Sequence, residues 1–145
     1  WTLVFLGFTY CPDVCPTTLA ELAQAQKQWQ ALPDSIRPRV LFVSVDPERD
    51  TPTRIGEYAH AFHPDTIAAT ADIPALEDFA KSLGFVFMKV PGKDFDANPQ
   101  DYSMDHSSGI AVIDPQGRVA GLMRPPFNPK AIATDMAALT QASLK

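Results

Sequence analysis

The segment from Leu3 to Thr17 has the sequence LVFLGFTYCPDVCPT, and it determines the fold that we expect. Its first part, Leu3–Phe8, predicts a buried β-strand, because a short and continuous apolar run is typical of a strand covered on both faces. An amphipathic helix is predicted to follow over Thr17–Gln30. The two cysteines of the chain, Cys11 and Cys15, therefore lie on a predicted turn between a strand and a helix.

This location favours reactive or metal-binding thiols. The start of a helix presents unpaired N–H groups and a partial positive charge, and both stabilise thiolate relative to thiol. Three residues separate the cysteines, whereas the thioredoxin-type redox motif has two. The spacing is compatible with two thiolates that bind one metal ion and with a disulfide. The alternative is that the two cysteines have no chemical function and form a structural disulfide or a pair of buried thiols.

Strands and helices alternate along the remaining chain. Strands are predicted from apolar runs, helices from apolar residues at helical spacing, and helix starts from capping residues that precede a proline. The longest irregular segment is a predicted polar loop from Pro91 to Asp105. The order predicts an α/β fold. The predicted strands are Arg39–Val45, Thr66–Thr70, Phe85–Val90, Gly109–Asp114 and Arg118–Arg124; the predicted helices start at Thr51, Ile73 and Asn128.

Composition limits the classes of function. The 145 residues predict one domain, residues 1–145, with a sizeable core. There are 12 Lys and Arg against 17 Asp and Glu, without a basic cluster, so we expect no nucleic acid partner. The sequence contains no run of 18 apolar residues, so we predict no membrane span in it. Because the chain begins with Trp1 directly before a strand, we interpret it as an N-terminally truncated fragment.

Three stretches, in this order, resemble the Sco/SenC family of thioredoxin-fold copper-binding proteins that serve cytochrome c oxidase assembly. Residues 5–16, FLGFTYCPDVCP, resemble the active motif of the family. Residues 43–52, VSVDPERDTP, resemble its second signature, and residues 102–107, YSMDHS, resemble its metal-ligand loop. The resemblance implies a thioredoxin-like fold, with a mixed central sheet flanked by helices and an N-terminal hairpin that this fragment lacks.

The resemblance also implies a ligand set and a metal. Cys11, Cys15 and His106 would bind copper, as Cu(I) or Cu(II), and thiolate sulfur favours Cu(I). Asp46 and Asp105 are the expected partners of the ligating histidine, because such a histidine commonly donates its second N–H to a carboxylate or a carbonyl. Without the resemblance, a lone histidine in a polar loop is more often simply solvated.

The implied function is that of a copper metallochaperone. Its partners would be cytochrome c oxidase subunit two or other copper carriers, and a membrane anchor absent from this fragment would hold it at the periplasmic face of a bacterial inner membrane or in the mitochondrial intermembrane space. The alternative is a thiol-disulfide oxidoreductase whose redox-active pair, Cys11 and Cys15, reduces the cysteines of a copper-accepting partner. Metal binding requires His106 and thiol exchange does not, so this residue distinguishes the two functions. Whether the protein is an enzyme depends on which of them it performs. A peroxidase-like sensor, with Arg124 beside its cysteine, is a weaker third hypothesis.

Overall fold

The computed structural model describes the backbone of residues 1–10 and 14–142 and the side chains of residues 1–10 and 16–141. Seven strands and four helices occur in this part of the chain. Along the sequence they are β1 (Thr2–Gly7), α1 (Val14–Trp29), β2 (Arg39–Ser44), α2 (Pro52–Phe62), β3 (Ile67–Ala69), α3 (Ile73–Ser82), β4 (Phe87–Pro91), β5 (Tyr102–His106), β6 (Ile110–Ile113), β7 (Val119–Met123) and α4 (Pro129–Ala142).

The main sheet is mixed and has five strands in the order β3-β2-β1-β6-β7. Its centre is β1, which pairs with β2 in parallel and with β6 in antiparallel orientation. Successive side chains of a strand point to opposite faces, so the apolar run of β1 serves two cores. Leu3 and Phe5 pack with residues of α1, α2 and α4, whereas Val4 and Leu6 pack with residues of α3, β4 and β5. The predicted buried strand is therefore confirmed.

The second sheet is the antiparallel pair of β4 and β5. The prediction of a polar loop over Pro91–Asp105 is therefore wrong at its end, because the last residues of that segment form β5 and His106 is the final residue of this strand. Within β5, Tyr102 and Met104 are buried while Ser103 and Asp105 are exposed. This alternation is the pattern of a half-buried strand, and the polar residues concealed it.

Capping residues mark the starts of α2 and α4, whereas α1 starts earlier than predicted. Thr51 caps α2 by accepting a hydrogen bond from the backbone N–H of Arg54, and Asn128 caps α4 in the same way, as predicted. Helix α1 begins at Val14 rather than near Thr17. Pro16 is compatible with this earlier start, because N–H groups in the first turn have no intrahelical partner. None of the described helices is both long and apolar enough to cross a bilayer.

A buried tryptophan joins the first and last helices. Trp29 is 1% exposed, and its indole N–H donates to the backbone carbonyl of Ala133 over 3.1 Å. The ring packs in the core that α1 and α4 share with Leu3 and Phe5 of β1. Loss of this side chain would leave both a cavity and a broken hydrogen bond between distant parts of the chain.

We therefore expect Trp29→Ala to lower the free energy of unfolding by about 3–5 kcal/mol, the usual cost of truncating a large buried aromatic residue. Urea denaturation followed by far-UV circular dichroism measures this change. The exposed neighbour Gln28 provides the control, since Gln28→Ala should change the free energy by less than about 0.5 kcal/mol. Equal effects of the two substitutions would contradict the assigned packing.

Candidate metal centre

The end of β1 is fixed to β2 by the buried carboxylate of Asp50. This residue is 1% exposed and accepts hydrogen bonds from the backbone N–H of Thr9 at 3.0 Å, from the Thr9 hydroxyl at 2.5 Å and from the Ser44 hydroxyl at 2.6 Å. Arg54 lies on the solvent side and donates to the Thr9 hydroxyl over 3.0 Å. The chain that leads from β1 toward Cys11 therefore leaves the sheet in a defined position.

A second buried carboxylate, that of Asp46, connects the end of β2 to β5. Asp46 is 2% exposed and accepts hydrogen bonds of 2.5 Å from the Tyr102 hydroxyl and from Nε of Arg49. Both of its oxygens therefore have donors. The sequence predicted Asp46 as a partner of the ligating histidine, whereas the contacts described for its carboxylate are with Tyr102 and Arg49.

Arg49 fills the space between the strand ends. Its Cζ lies 3.7 Å from the ring centroid of Tyr102, 4.6 Å from that of Tyr10 and 5.8 Å from that of Phe8. Its Nη1 donates to the backbone carbonyl of Tyr102 over 2.9 Å, while the buried Nη2 has no hydrogen-bond partner in the described structure. The guanidinium is thus a largely buried positive charge beside Tyr10, the residue that precedes Cys11.

His106 ends β5 next to this cluster. Its ring meets the ring of Phe8 edge to face, with centroids 5.9 Å apart and an interplanar angle of 87°. Its Nδ1 is 3.0 Å from the backbone carbonyl oxygen of Ser107. If Nδ1 carries the proton and donates to this carbonyl, the lone pair is on Nε2. A backbone carbonyl is one of the usual outer partners of a metal-ligating histidine.

The structure describes the predicted ligands unequally. Cys11 lies outside the described residues, and Cys15 is the second residue of α1 but its side chain is not described. His106 is partly buried beside Phe8, whereas Asp105 is exposed on β5. Within the described side chains, no three His, Cys, Asp or Glu residues come together to form a metal site. The three-ligand set and its two aspartate partners thus stay predictions.

Sequence reasoning missed the importance of two residues here. It quoted Arg49 and Asp50 in a family-like stretch but gave neither a role. A signal was present, because charged residues directly after the buried strand β2 must either reach solvent or find partners at the sheet edge. The hydrogen bond from Tyr102 to Asp46 was likewise not predicted, because the two residues are distant in sequence.

The surroundings of Tyr102 hold its hydroxyl in the protonated form. Burial first, and then the hydrogen bond to the Asp46 carboxylate, raise the pKa of Tyr102 well above its usual range. The phenol is therefore a permanent donor at physiological pH. It satisfies one oxygen of Asp46 without adding a charge to the cluster.

Comparisons with known proteins agree on one family. The model of the family described as SCO1/SenC matches residues 1–141. The Bos taurus protein named SCO2 homolog, mitochondrial, is 38% identical over 117 residues, which cover 81% of this chain and 42% of the bovine protein. The chain spans 42% to 59% of the length of five curated relatives.

Two copper-bound structures share the fold. The crystal structure of Arabidopsis thaliana ScoI with copper bound has a TM-score of 0.83 and 30% identity, and the match covers 97% of this chain and 84% of that chain. The structure of Bradyrhizobium japonicum ScoI with copper bound has a TM-score of 0.81 and 34% identity, with 94% and 83% covered. The predicted thioredoxin-like fold is confirmed.

The raised pKa of Tyr102 makes a prediction for alkaline stability. Below about pH 10 tyrosine is protonated in both the folded and the unfolded chain. Above this pH the unfolded chain loses the proton of Tyr102 first. This residue should therefore make the free energy of unfolding fall as pH rises, and its own contribution to that fall is at most about 1.4 kcal/mol per pH unit. Tyr102→Phe should show a shallower fall between pH 10 and 11 in urea denaturation.

Tyr10→Phe is the matched control, because Tyr10 is half exposed and should leave the wild-type slope unchanged. If the free energy of unfolding of Tyr102→Phe falls with pH as steeply as that of the wild type, the role given to the buried hydroxyl is wrong.

Proposed function

The chain belongs to the SCO1/SenC family, and on this premise we propose that it is a copper metallochaperone in the assembly of cytochrome c oxidase. One observation of the structure carries the proposal. The ring of His106 contacts Phe8, which lies three residues before Cys11, so the histidine is at the strand end from which the cysteine segment departs. The two copper-bound relatives, at 30% and 34% identity, support copper as the metal.

The proposed ligands are the thiolates of Cys11 and Cys15 and the imidazole of His106. Two thiolates and one imidazole satisfy Cu(I), which accepts three soft ligands, whereas Cu(II) would take a further oxygen ligand. Zinc sites that are structural usually have four protein ligands. The donor set therefore fits copper as cargo better than zinc.

The residues around His106 would hold the ligand in place. The ring of Phe8 packs against the imidazole edge to face, and the Ser107 carbonyl is close enough to accept a hydrogen bond from Nδ1. We propose that Asp105, the neighbour of His106, and Asp46, through Tyr102 and Arg49, act indirectly on this ligand. Such outer contacts orient a ligand and tune its basicity without touching the metal.

Transfer of copper would proceed by exchange of ligands with a partner. Thiolate and imidazole donors of the acceptor would replace Cys11, Cys15 and His106 one at a time. The proposed acceptor is subunit two of cytochrome c oxidase, directly or through another copper carrier. The proposed location is the periplasmic face of a bacterial inner membrane or the mitochondrial intermembrane space, with a membrane anchor on the full-length protein. The bovine relative is mitochondrial and a lipoprotein of the family occurs in Bacillus anthracis.

A thiol-disulfide oxidoreductase is the second candidate, and the start of α1 supports it. Cys15 is in the first turn of this helix, where unpaired N–H groups and the helix dipole favour thiolate. In this mechanism a thiolate of the pair attacks a disulfide of the partner, and a mixed disulfide forms. The other thiolate then attacks the mixed disulfide, which leaves two thiols on the partner and a disulfide between Cys11 and Cys15.

Copper binding by the reduced protein tests the first candidate. Under anaerobic conditions we expect one Cu(I) per chain in competition with a chromophoric chelator. Alanine at Cys11, Cys15 or His106 should weaken binding by at least about tenfold, because the loss of a ligand costs no less than the loss of one of its outer partners. His60→Ala, at an exposed position of α2, is the control for the loss of a histidine.

The outcomes separate the two functions. Wild-type binding that survives His106→Ala unchanged would contradict the assigned ligand set. If the wild type fails to bind copper but reduces a disulfide-containing partner peptide, and His106→Ala does so equally well, the oxidoreductase is the better assignment.

A further inference from the structure

Strand β4 has one edge without a neighbouring strand. Ser107 N–H donates to the Val86 carbonyl over 2.9 Å, and Gly92 N–H donates to the Asp101 carbonyl over 2.7 Å. Hydrogen-bonded pairs alternate along an antiparallel ladder. The backbone groups of Phe87 therefore point away from β5, as do those of Lys89. In the part of the chain that the structure describes, these outward groups have no hydrogen-bond partner.

A cleft of about 340 Å³ runs along this part of the hairpin. Phe87 and Lys89 of β4 line it, together with Ile73 and Glu77 of α3. Its apolar lining includes Ile73 and Phe87, which are partly exposed, and the nearly buried Val45 and Met104 lie beneath them. An unpaired strand edge beside a cleft is the arrangement that accepts an extended peptide as an added strand.

The charges of the cleft indicate the chemistry of its occupant. Glu48 and Glu77 line the cleft and are exposed. The one lysine on the wall, Lys89, is already paired with Glu48 over 2.8 Å, and its ammonium lies 4.3 Å from the ring centroid of Tyr102. Glu77 forms no ion pair within the described residues. The rim therefore has a net negative charge and is complementary to a basic side chain.

We propose that this cleft binds an extended segment of a partner protein, which adds to β4 as a third strand. Alternate residues of the segment are apolar and face Ile73 and Phe87, and a basic residue faces Glu77. Main-chain hydrogen bonds to Phe87 and Lys89 supply affinity, while the cleft selects the side chains. Because the neighbouring strand β5 ends at His106, a docked partner would lie beside the proposed copper ligand. The position of the partner beside a copper ligand rests on the proposed function, whereas the binding of the segment to β4 does not.

Peptide titration of the metal-free, reduced protein tests the proposal. The probe is a capped hexapeptide in which lysine and valine alternate, and the control peptide has glutamate in place of lysine. In ¹H–¹⁵N spectra we expect saturable shifts of the Phe87 and Lys89 amides with the basic peptide, and binding of the acidic peptide weaker by about tenfold or more.

Two N-methylated forms of the basic peptide distinguish strand addition from simple charge attraction. In one form all lysines are N-methylated and in the other all valines, so each removes the N–H groups along one edge of the peptide. Only one of the two forms should lose binding if the peptide pairs with β4. Equal binding by both forms, absence of binding, or shifts confined to another surface would overturn the proposal.

A charge reversal on the protein completes the test. Glu77→Lys should weaken binding of the basic peptide roughly fivefold, because an exposed ion pair worth up to about 1 kcal/mol is replaced by a repulsive pair. Glu57→Lys, at an exposed site of α2 that does not line the cleft, should bind as the wild type does. Both variants should retain wild-type copper affinity, so a failure of peptide docking is separable from a failure of the proposed copper function. Equal affinity in both variants would contradict the role of Glu77.

Discussion

Two buried carboxylates at the end of β2 constrain the rest of the structure. An ionised carboxylate inside a protein costs several kcal/mol unless donors replace the water that it has lost. Asp50 obtains its donors from Thr9 and Ser44, and Asp46 obtains its donors from Arg49 and Tyr102. These donors come from the segment that follows β1, from β2, from the loop after β2, and from β5. The charges are therefore satisfied only when the strand ends have come together, and this couples completion of the sheet to formation of the edge where the cysteine segment begins.

The same edge serves either chemistry that we consider for the cysteines. A helix start that stabilises thiolate is useful to a metal ligand and to a nucleophile alike. The buried guanidinium of Arg49, stacked between aromatic rings, adds a fixed positive charge near Tyr10 and so near the start of the cysteine segment. The group that distinguishes the two chemistries is the imidazole of His106, which comes from a different sheet. A metal chaperone and a reductase could thus share nearly the whole of this scaffold and differ in the residue at the end of β5.

The sequence predicted most of the fold because its signals were local. The apolar run of β1 and the Thr51 cap of α2 depend on neighbours in sequence, and both were confirmed. Strand β5 was missed because three of its five residues, Ser103, Asp105 and His106, are polar. The start of α1 was placed too late, near Thr17 where the amphipathic pattern begins, whereas the first turn already starts at Val14 and tolerates Pro16.

The candidate site was less accessible to sequence reasoning. His106 was singled out only through the family resemblance, since a lone histidine carries little signal. The bond from Tyr102 to Asp46 joins residues 56 positions apart, and the contacts of Asp50 with Thr9 join residues 41 positions apart. No local pattern encodes such pairs. They follow from the register of strands that are distant in sequence, which single-sequence patterns do not provide.

The hairpin of β4 and β5 is a separate sheet, and no backbone hydrogen bond described here joins it to the five-stranded sheet. Its placement depends on side chains such as Tyr102, Arg49 and Lys89, together with the chain connection through Gly109. A Cβ at Gly109 would lie 3.1 Å from the Met123 carbonyl oxygen, so that connection is sterically confined. Side chains can change one at a time during evolution, whereas a ladder of main-chain bonds cannot. The separation between His106 and the cysteine segment is therefore a property that drift at remote positions can adjust. If these residues bind copper as proposed, homologues could acquire different metal affinities without altering a single donor atom.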